Sequence, residues 1–403
     1  MDRKLFHFIG EFESELKNIL TYWRNNTVDL DFGGFIGQIA EGELINPDAE
    51  KGSVLNARIL WSFSAAYNFN GDLQDLYLAQ HSFQYIKEHF IDIKYGGVYW
   101  SLDHTGMPKD RKKQIYAIAF TIYGLSEYHL AAGDNEALDL AIALFRDIEL
   151  HSFDPLDGGY FEAFAENWDQ VPDLRLSQKD ANEKKTMNTH LHILEAYTTL
   201  YKIWPDEHLK NQIIGLLGVF SKHIINTDGH LDLFFDEKWN RKSSEISYGH
   251  DIEASWLLLE AAEMIEHQEL ISHFRSMAIK IAEASADGID KEAMIYEYSP
   301  LDNHRNDEKH WWVQAEAMVG FLNAFELSES QVFLELFDKI WNYTKKQIVD
   351  RENGEWFWGR NGDGTLMPKQ DKAGLWKCPY HNSRACMEII SRLKHLQKDY
   401  MKH

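Results

Sequence analysis

The stretch Asp157-Gly-Gly-Tyr-Phe-Glu162 joins a glycine turn to aromatic, strand-like residues, and it is one of six related stretches along the chain. A turn next to such residues is typical of a short β-hairpin. The copies begin about 60 to 71 residues apart, an interval that accommodates two helices and a connection, so the chain contains six structural repeats. The copies are Asp31-Phe-Gly-Gly-Phe35, Tyr95-Gly-Gly-Val-Tyr-Trp100, Asp157-Gly-Gly-Tyr-Phe-Glu162, Asp228-Gly-His-Leu-Asp-Leu-Phe-Phe235, Ala293-Met-Ile-Tyr-Glu-Tyr298, which lacks glycine, and Asn353-Gly-Glu-Trp-Phe-Trp358.

Each copy lies between two helix patterns of different character. The helix before a copy is amphipathic, with a single apolar face. The helix after a copy is rich in alanine, serine and apolar residues around most of its circumference, which predicts burial on all sides. These second helices are predicted over residues 53–69, 114–131, 186–203, 247–267, 309–326 and 381–396.

This alternation predicts an all-α fold, an (α/α)6 barrel of twelve alternating outer and inner helices with short β-hairpins in the long loops. No linker rich in proline or serine divides the chain, so residues 1–403 are predicted to form one domain. Connections from an inner to an outer helix are short, as in Asn70-Gly71-Asp72, whereas the opposite connections are long, as from Glu166 to Lys185. Long loops at one end of a rigid barrel commonly form a binding site, so we expect the site where the inner helices begin.

Composition and charge restrict the possible partners. The chain has 64 acidic and 41 basic residues and a formal net charge of −23, so a nucleic acid would be repelled over most of its surface. No stretch approaches the roughly 18 uninterrupted apolar residues of a membrane span, and the first residues lack the apolar core of a signal peptide. The two cysteines, Cys378 and Cys386, are too few for a disulfide framework. We therefore expect a cytoplasmic protein, a monomer or weak homodimer, without nucleic-acid or membrane partners.

Polar and aromatic residues gather at the predicted starts of the inner helices. Side chains at equivalent positions of six repeats would converge on one cavity. The chain also holds 13 Trp, 18 Tyr and 23 Phe, and aromatic rings can stack on the C–H faces of sugars, although most such rings pack in protein cores. The candidate cavity residues are Arg58, Tyr116, Asn188, His190, His250, Glu253, Trp311, Trp312, Glu316, Trp376 and His381.

Histidines are the candidate acids and bases in this set. His250 and Glu253 lie three residues apart, so they share a helix face and the carboxylate can orient or charge the imidazole. His190 and His192 lie two residues apart and point to different sides of their helix. His190 is predicted to face the cavity because it is nearer the helix start and follows the polar Asn188.

Three histidines and a glutamate could also bind a metal ion, since imidazole is a ligand for zinc, manganese and iron. However, no His-x-x-x-His pair in the set supplies two ligands from one helical turn, and each histidine belongs to a different repeat. The sequence also lacks the Gly-x-Gly-x-x-Gly motif that binds dinucleotides. We therefore predict a site with neither a metal ion nor another cofactor.

Four motifs closely resemble the N-acylglucosamine 2-epimerase superfamily and, within it, the cellobiose 2-epimerases. The motifs are Met187-Asn-Thr-His-Leu-His-Ile-Leu-Glu-Ala-Tyr197, Ser247-Tyr-Gly-His-Asp-Ile-Glu-Ala-Ser-Trp256, Lys309-His-Trp-Trp-Val-Gln-Ala-Glu316 and Trp376-Lys-Cys-Pro-Tyr-His381. The resemblance extends from Asn56-Ala-Arg58 to Arg384, and Ser383 stands where we expect glycine in the family. It implies an (α/α)6 barrel that acts on cellobiose, lactose and related oligosaccharides without a metal or nucleotide.

The resemblance also implies roles for individual residues. His250 and His381 correspond to a pair of catalytic histidines, and Trp312 and Trp376 correspond to platforms on which the sugar stacks. The catalytic set is completed by site partners of the two histidines, namely Arg58, His190 and Glu253. The predicted substrate-binding set is Tyr116, Asn188, Trp311, Trp312, Glu316 and Trp376.

The chemistry of these residues fits epimerisation at C2 of a reducing-end sugar, which would convert cellobiose to glucosylmannose and lactose to epilactose. The C2 hydrogen becomes acidic only beside a carbonyl, so the sugar ring must first open to the aldehyde. One histidine can then remove the proton and another can return one to the opposite face, since imidazole has an ordinary pKa of about 6.5. The Arg58 guanidinium could stabilise the enediolate oxygen, with His190 as a hydrogen-bond donor.

Three other functions are compatible with these residues. An aldose–ketose isomerase on the same scaffold would return the proton to C1 instead of C2. An inverting glycoside hydrolase would need two carboxylates about 6.5–9.5 Å apart, from Glu253, Glu316 or loop acids such as Asp302, and would leave the histidines without a role. A non-catalytic sugar-binding protein would use the tryptophans but not the histidine pair.

Overall fold

The computed structural model describes residues 3–400 and is predominantly helical. Within that range the chain forms twelve α-helices, which are α1 (His7–Asn26), α2 (Ser53–Asn70), α3 (Leu73–Tyr85), α4 (Ile115–Ala132), α5 (Asn135–His151), α6 (Met187–Ile203), α7 (Glu207–Val219), α8 (Tyr248–Met264), α9 (Gln268–Ser285), α10 (Trp311–Ser328), α11 (Gln331–Tyr343) and α12 (Tyr380–Tyr400). The predicted number of helices is confirmed, and the six predicted inner helices correspond to the even-numbered ones. No helix in the described range has both the length and the apolar character that crossing a membrane requires.

The even-numbered helices form the buried layer. In α2 every residue from Ser53 to Ala66 is buried, whereas α1 buries one face that includes Phe8, Phe12 and Trp23. The even-numbered helices contact one another in a closed cycle, from α2 through α4, α6, α8, α10 and α12 back to α2. The odd-numbered helices pack against this cycle, α3 on α2, α5 on α4, α7 on α6, α9 on α8, α11 on α10 and α1 on α12.

Two glycines let neighbouring inner helices approach closely. A Cβ atom at Gly124 of α4 would lie 2.7 Å from the carbonyl oxygen of Ala57 on α2. A Cβ atom at Gly320 of α10 would lie 2.7 Å from the carbonyl oxygen of Ile252 on α8. Both distances are shorter than van der Waals contact, so a side chain at either position would push two inner helices apart.

The connections from inner to outer helices are as short as predicted, because capping residues end one helix and begin the next. Gly71 ends α2 in the left-handed conformation, with φ 73°, and the Asp72 side chain accepts a hydrogen bond from a backbone N–H at the start of α3. Gly133, with φ 67°, and Asp134 do the same between α4 and α5. The long loops therefore lie at the other end of the inner helices, where these helices begin.

Short antiparallel strands link each long loop to the next. The described range contains fourteen, which are β1 (Ile39–Ala40), β2 (Leu44–Ile45), β3 (Lys51–Gly52), β4 (Ser101–Leu102), β5 (Pro108–Asp110), β6 (Lys113–Gln114), β7 (Ala163–Phe164), β8 (Lys185–Thr186), β9 (Phe234–Phe235), β10 (Ile246–Ser247), β11 (Glu297–Ser299), β12 (His304–Asn306), β13 (Lys309–His310) and β14 (Gly359–Arg360). Strands from successive loops pair as β3 with β4, β6 with β7, β8 with β9, β10 with β11 and β13 with β14. A backbone bridge between Ile39 and Ala373 joins the last loop to the first.

A tight turn closed by one backbone bridge occurs at each of the six predicted copies, including the fifth, which lacks glycine. The bridges are Val28↔Phe35, Ile91↔Val98, Phe153↔Tyr160, Ile225↔Leu231, Ile289↔Met294 and Val349↔Trp356. The residue after the first bridge partner is always Asp or Asn, and its side-chain oxygen accepts hydrogen bonds from backbone N–H groups of the turn. These six turn residues are Asp29, Asp92, Asp154, Asn226, Asp290 and Asp350.

Five of the six turn residues, within the described range, also pair with a buried lysine. The pairs are Lys51–Asp29, Lys113–Asp92 and Lys185–Asp154, each at 2.6 Å, Lys309–Asp290 at 2.5 Å, and Lys372–Asp350. In the fourth repeat Asn226 replaces the aspartate, and Ile246 occupies the position two residues before α8. There His230 of the turn pairs instead with Asp251 of α8, with Nδ1 2.7 Å from Oδ2. In the repeats where the lysine stands two residues before an inner helix, the ion pair therefore ties the hairpin to the start of that helix, and these lysines are Lys51, Lys113, Lys185 and Lys309.

Candidate active site

A cavity of about 480 Å³ lies where the inner helices begin. The structure brings every predicted site residue to its wall except His190 and Glu316. His192, Trp358 and Gln370, which were not predicted, also line it. The predicted residues on the wall are Arg58, Tyr116, Asn188, His250, Glu253, Trp311, Trp312, Trp376 and His381.

Many of the cavity residues occupy equivalent positions within their helices, apart from Trp311 and His250. The second residues of α4, α6, α10 and α12 line it, and these are Tyr116, Asn188, Trp312 and His381. The sixth residues of α2, α6 and α8 line it as well, and these are Arg58, His192 and Glu253. The second and sixth residues are four apart, so they share one helix face.

The prediction that His190 rather than His192 faces the cavity is wrong. His190 is the fourth residue of α6, and its Nε2 accepts a hydrogen bond from the backbone N–H of Tyr160 at 2.8 Å. The fourth residues of α8 and α10 hold their own turns in the same way, since Asp251 accepts from the N–H of Leu231 at 2.8 Å and Gln314 from that of Met294 at 3.1 Å. The fourth position therefore anchors a hairpin, and His192, two residues further around the helix, reaches the cavity.

His250 presents an imidazole that is neutral at ordinary pH. Its Nδ1 shares a hydrogen bond with the Ser247 hydroxyl at 2.7 Å, and its ring lies 4.8 Å from the Trp312 ring, measured between centroids. Burial lowers the pKa of His250 to about 3, and the charges of His192 and Arg58 act in the same direction. A neutral imidazole with one nitrogen bound to a hydroxyl can act as a base through the other.

His381 differs from His250 in having a carboxylate partner. Its Nδ1 lies 2.7 Å from Glu316 Oε1, so the ring N–H donates to the carboxylate and Nε2 is left for a ligand in the cavity. Its ring lies 5.6 Å from the Trp312 ring, measured between centroids, so Trp312 contacts both histidines. Burial, together with the charges of Arg58 and Arg384, lowers the pKa of His381 well below the ordinary value. Glu316 therefore lies behind the cavity wall, where it orients His381.

A buried cluster of three glutamates surrounds Arg384 beneath the cavity. Nη2 of Arg384 donates to Glu253 Oε1 at 2.6 Å and to Glu316 Oε1 at 2.7 Å, while Nη1 contacts Glu195 and Tyr380. Burial opposes the charge of Glu195, but the Arg384 charge together with the hydrogen bonds of His192 and Tyr380 outweighs it and lowers the pKa of Glu195 to about 2. Burial, and then the charge of Glu316, raise the pKa of Glu253 to about 7. The cluster thus holds an ionised carboxylate beside one that titrates near neutrality.

His192 belongs to the same cluster. Its Nδ1 lies 2.9 Å from Glu195 Oε2, so this imidazole is oriented by a carboxylate, as His381 is. Neither His192 nor Glu195 nor Arg384 was predicted to belong to the site. Counting each inner helix from its own first residue indicates His192, because Arg58 and Glu253, which also line the cavity, are sixth residues of their helices.

Glu253, Glu316 and His381 place three potential ligand atoms within 4.8 Å of one another, which is close enough for a metal ion. Nη2 of Arg384, however, already donates to Oε1 of Glu253 and to Oε1 of Glu316. A cation that bound these oxygens would have to displace the guanidinium or lie against its positive charge. These residues therefore fit the guanidinium rather than a metal ion.

Arg58 brings a second positive charge to the cavity. Its Nη2 donates to the Tyr116 hydroxyl at 2.7 Å, and its guanidinium lies over the rings of Phe120 and Tyr380, at 4.1 and 4.9 Å from their centroids. These aromatic faces hold the guanidinium in place, and because they carry no negative charge they leave its positive charge unneutralised. Its Nε has no hydrogen-bond partner in the described part of the chain. Arg58 can therefore stabilise negative charge that develops on a ligand oxygen.

Aromatic rings and a second cleft extend the cavity outward. The partly exposed Trp376 lies 5.9 Å from Trp100 and 6.1 Å from Tyr116, measured between ring centroids. An adjoining cleft of about 1040 Å³ shares several wall residues with the cavity, among them Asn188 and His250. Flat rings at the mouth of a polar cavity are suited to the C–H faces of a sugar.

Comparison with known proteins gives a consistent result. The sequence model of the N-acylglucosamine 2-epimerase (GlcNAc 2-epimerase) family matches residues 34–385. The chain is similar to the cellobiose 2-epimerase of Bacteroides fragilis, with 49% identity over 383 residues that cover 94% of this chain and 98% of the relative. A cellobiose 2-epimerase of Ruminococcus albus is 41% identical over 392 residues, covering 95% and 98%. The solved structure of a cellobiose 2-epimerase from Bacillus thermoamylovorans B4167 superposes with a TM-score of 0.92 at 38% identity, covering 96% of this chain and 99% of that one.

Proposed function

The chain belongs to the N-acylglucosamine 2-epimerase family and is an isomerase, a carbohydrate 2-epimerase, and from this premise we propose that it inverts C2 of the reducing-end sugar of β-1,4-linked disaccharides. Cellobiose and lactose are the proposed substrates, and glucosylmannose and epilactose the products. The observation that carries the proposal is the placement of two imidazoles, the half-buried His250 and the buried His381, beside the ring of Trp312 in one cavity.

In the proposed reaction the sugar ring first opens to the aldehyde, which makes the C2 hydrogen acidic. One of the two histidines removes this proton, and the electron pair of the C2–H bond moves toward the carbonyl to give an enediolate. The other histidine then gives a proton to the opposite face of C2. The charge of Arg58 stabilises the enediolate oxygen, and His192, rather than His190, is the hydrogen-bonding histidine of the site.

The architecture supports this proposal in outline. We propose that residues 1–403 form one catalytic domain, an (α/α)6 barrel, and the closed cycle of contacts among the even-numbered helices supports that reading. Trp312 and Trp376 are the proposed sugar platforms, with Tyr116, Asn188 and Trp311 completing the binding wall. The cytoplasmic location and the monomeric or weakly dimeric state stay predictions from the sequence.

The geometry does not favour an inverting glycoside hydrolase. Such an enzyme separates its two carboxylates by about 6.5–9.5 Å to admit a water molecule. In this chain Glu253 and Glu316 have oxygens within 4.8 Å of each other, and both accept from Nη2 of Arg384. An aldose–ketose isomerase would use the same imidazoles, so the products must distinguish it from an epimerase.

The decisive experiment is incubation with cellobiose in D2O, followed by identification of the products. We expect glucosylmannose that carries deuterium at C2 of its reducing-end sugar. The imidazole exchanges its proton with D2O, and a deuteron from it then replaces the original hydrogen. Glucosylfructose would instead assign an isomerase, free glucose a hydrolase, and unchanged cellobiose a binding protein. Glucosylmannose without deuterium would overturn the two-histidine mechanism even though the product is correct.

A further inference from the structure

We infer that Arg384 is a positioning residue that holds the orienting carboxylates of two cavity histidines, His381 and His192, in a single hydrogen-bonded unit. The inference rests on the proposed function, since it assigns both imidazoles to proton transfer or hydrogen bonding during epimerisation. Arg384 itself lies behind the cavity wall and does not line it. Its effect on the reaction is therefore transmitted through Glu316 and Glu195.

On either side of the guanidinium, a glutamate carboxylate lies between Arg384 and an imidazole. On one side Nη2 donates to Glu316 Oε1, and that oxygen lies 2.7 Å from Nδ1 of His381. On the other side Nη1 contacts Glu195 Oε1, while Glu195 Oε2 lies 2.9 Å from Nδ1 of His192. Each imidazole is thus one carboxylate away from the same planar group, whose donors have a fixed relative orientation. A shift of the guanidinium would move both imidazoles.

The charges around Arg384 also suit this role. Three carboxylates, those of Glu195, Glu253 and Glu316, accept hydrogen bonds from one guanidinium, so the fully ionised unit would carry excess negative charge. This negative charge partly offsets the effect of the Arg384 charge, which by itself lowers the pKa of His381. Protonation of Glu253 near neutral pH removes part of this excess negative charge.

The remaining charged and titratable groups near Arg384 come from α12 itself and from other inner helices. The ring of Tyr380 lies between the two guanidinium groups, 4.3 Å from that of Arg384 and 4.9 Å from that of Arg58 on α2. Tyr123 of α4 and Glu260 of α8 also interact with its charge. None of these groups bonds to the imidazole rings of His381 or His192 in the described part of the chain, so the glutamates are the direct link.

Arg392 provides a matched control on the same helix. It lies two helical turns beyond Arg384 on α12, donates to Glu326 at 2.6 Å and to Asn323 at 3.0 Å, and lines neither the cavity nor the cleft. Its replacement therefore also breaks an arginine–glutamate pair, here a partly buried one, but leaves the imidazoles alone. The comparison of R384Q and R384K with R392Q separates positioning from simple stabilisation of α12.

Three readouts test the inference on the purified protein, namely the imidazole ¹⁵N chemical shifts, the pH profile of kcat with cellobiose, and the thermal unfolding midpoint. For R384Q we expect a changed tautomer population at His381 and His192, a shifted pH profile and a decrease in kcat of about a hundredfold, with little change in KM. R384K keeps the charge but lacks the two-sided planar donor, so we expect partial rescue. R392Q is expected to lower the unfolding midpoint while leaving the tautomers and the pH profile unchanged.

The inference is overturned if R384Q keeps the wild-type tautomers and pH profile, or if R392Q changes them as much as R384Q does. If R384Q does not fold, E195Q replaces it, and an unchanged His192 tautomer in E195Q has the same meaning. The ¹⁵N spectra require no turnover. Failure of the wild-type protein to convert cellobiose would therefore contradict the proposed function, while the spectra would still decide the role of Arg384.

Discussion

The two buried faces of α6 each carry one histidine, and the partners of these histidines differ in kind. On the face toward the hairpins, His190 accepts a hydrogen bond from the backbone of Tyr160 and binds a backbone carbonyl with its other nitrogen. On the cavity face, His192 is bound to the carboxylate of Glu195, which Arg384 holds in turn. The two faces of the helix therefore have different roles. Hydrogen bonds to backbone groups hold a loop in place on one face, whereas a carboxylate on the other face orients an imidazole for proton transfer.

The largest effects are expected on the cavity face, at the two proposed proton carriers. His250→Ala and His381→Ala should each lower turnover of cellobiose by about 10²–10⁴-fold, because each removes one acid–base group of the reaction. The circular dichroism spectra should stay unchanged, since both side chains border an open cavity. A variant with near wild-type turnover would exclude that histidine from the mechanism.

The next largest effect is expected at the hairpin anchors. Lys113→Met leaves Asp92 buried without its partner at 2.6 Å, and both side chains are fully buried, so we expect a loss of about 3–5 kcal/mol in the free energy of unfolding by denaturant. The double variant with Asp92→Asn should recover part of this loss. Lys394→Met, which breaks an exposed pair with Glu13, is the control and should change stability by less than about 1 kcal/mol.

The sharpest test of the comparison exchanges one histidine at a time on α6. His192→Gln should lower turnover by about tenfold to a hundredfold with little loss of stability, because it removes an oriented imidazole from the cavity. His190→Gln should cost about 1–3 kcal/mol of stability, since the N–H of Tyr160 loses its buried acceptor, while turnover per folded molecule is kept. The opposite pattern in kinetics and denaturant unfolding would restore His190 to the site.

The smallest effect concerns pH and the anchoring face. Burial lowers the pKa of His190 to about 4, so between about pH 6.5 and pH 4 the unfolded chain binds more protons at this residue and stability falls as the pH falls. Glu253, whose pKa is raised to about 7, acts in the opposite direction, because the folded state binds more protons there below neutrality. His190→Gln should therefore lose less stability than the wild type when the pH is lowered from about 7 to about 5, measured by denaturant midpoints. An equal loss would show that His190 does not titrate in this way.

The repeats and most helix boundaries could be predicted from the sequence because they depend on local patterns. Apolar residues all around the inner helices indicate burial, and the turns recur at a regular interval. The fifth turn was recognised without glycine because its aromatic residues remain. The structure shows that the feature common to all six turns is an Asp or Asn side chain, here Asp290, that caps the turn. The predicted end of the fourth inner helix at residue 267 was too late, since Glu266 has φ 55° and His267 caps α9.

The interior of the site could be predicted only in part, because it depends on contacts across the ring. Residues near a helix start were recognisable, and nearly all of them line the cavity. Arg384 and Glu195 are far apart in the sequence and meet only because α12 and α6 face the same central space. The sequence favours His190 over His192 because His190 is nearer the helix start and follows the polar Asn188, but neither feature indicates which helix face points into the cavity. The position that His192 shares with Arg58 and Glu253, the sixth of each helix, carries the correct signal.

The replacement of a lysine anchor by His230 and Asp251 in the fourth repeat has a consequence for local opening. Burial opposes the charge of His230, but the hydrogen bond and the charge of Asp251, with the charges of Asp287 and Asp228, together outweigh it and raise the pKa of the imidazole. This anchor therefore contributes fully below about pH 6.5 and is lost as the pH rises through the raised pKa, whereas lysine side chains have an ordinary pKa of about 10.4. Amide protons of the turn at residues 226–231 should then become less protected against hydrogen exchange in mildly alkaline solution than those of the other five turns. The part of the ring that carries His250 would thus be the first to open in response to pH.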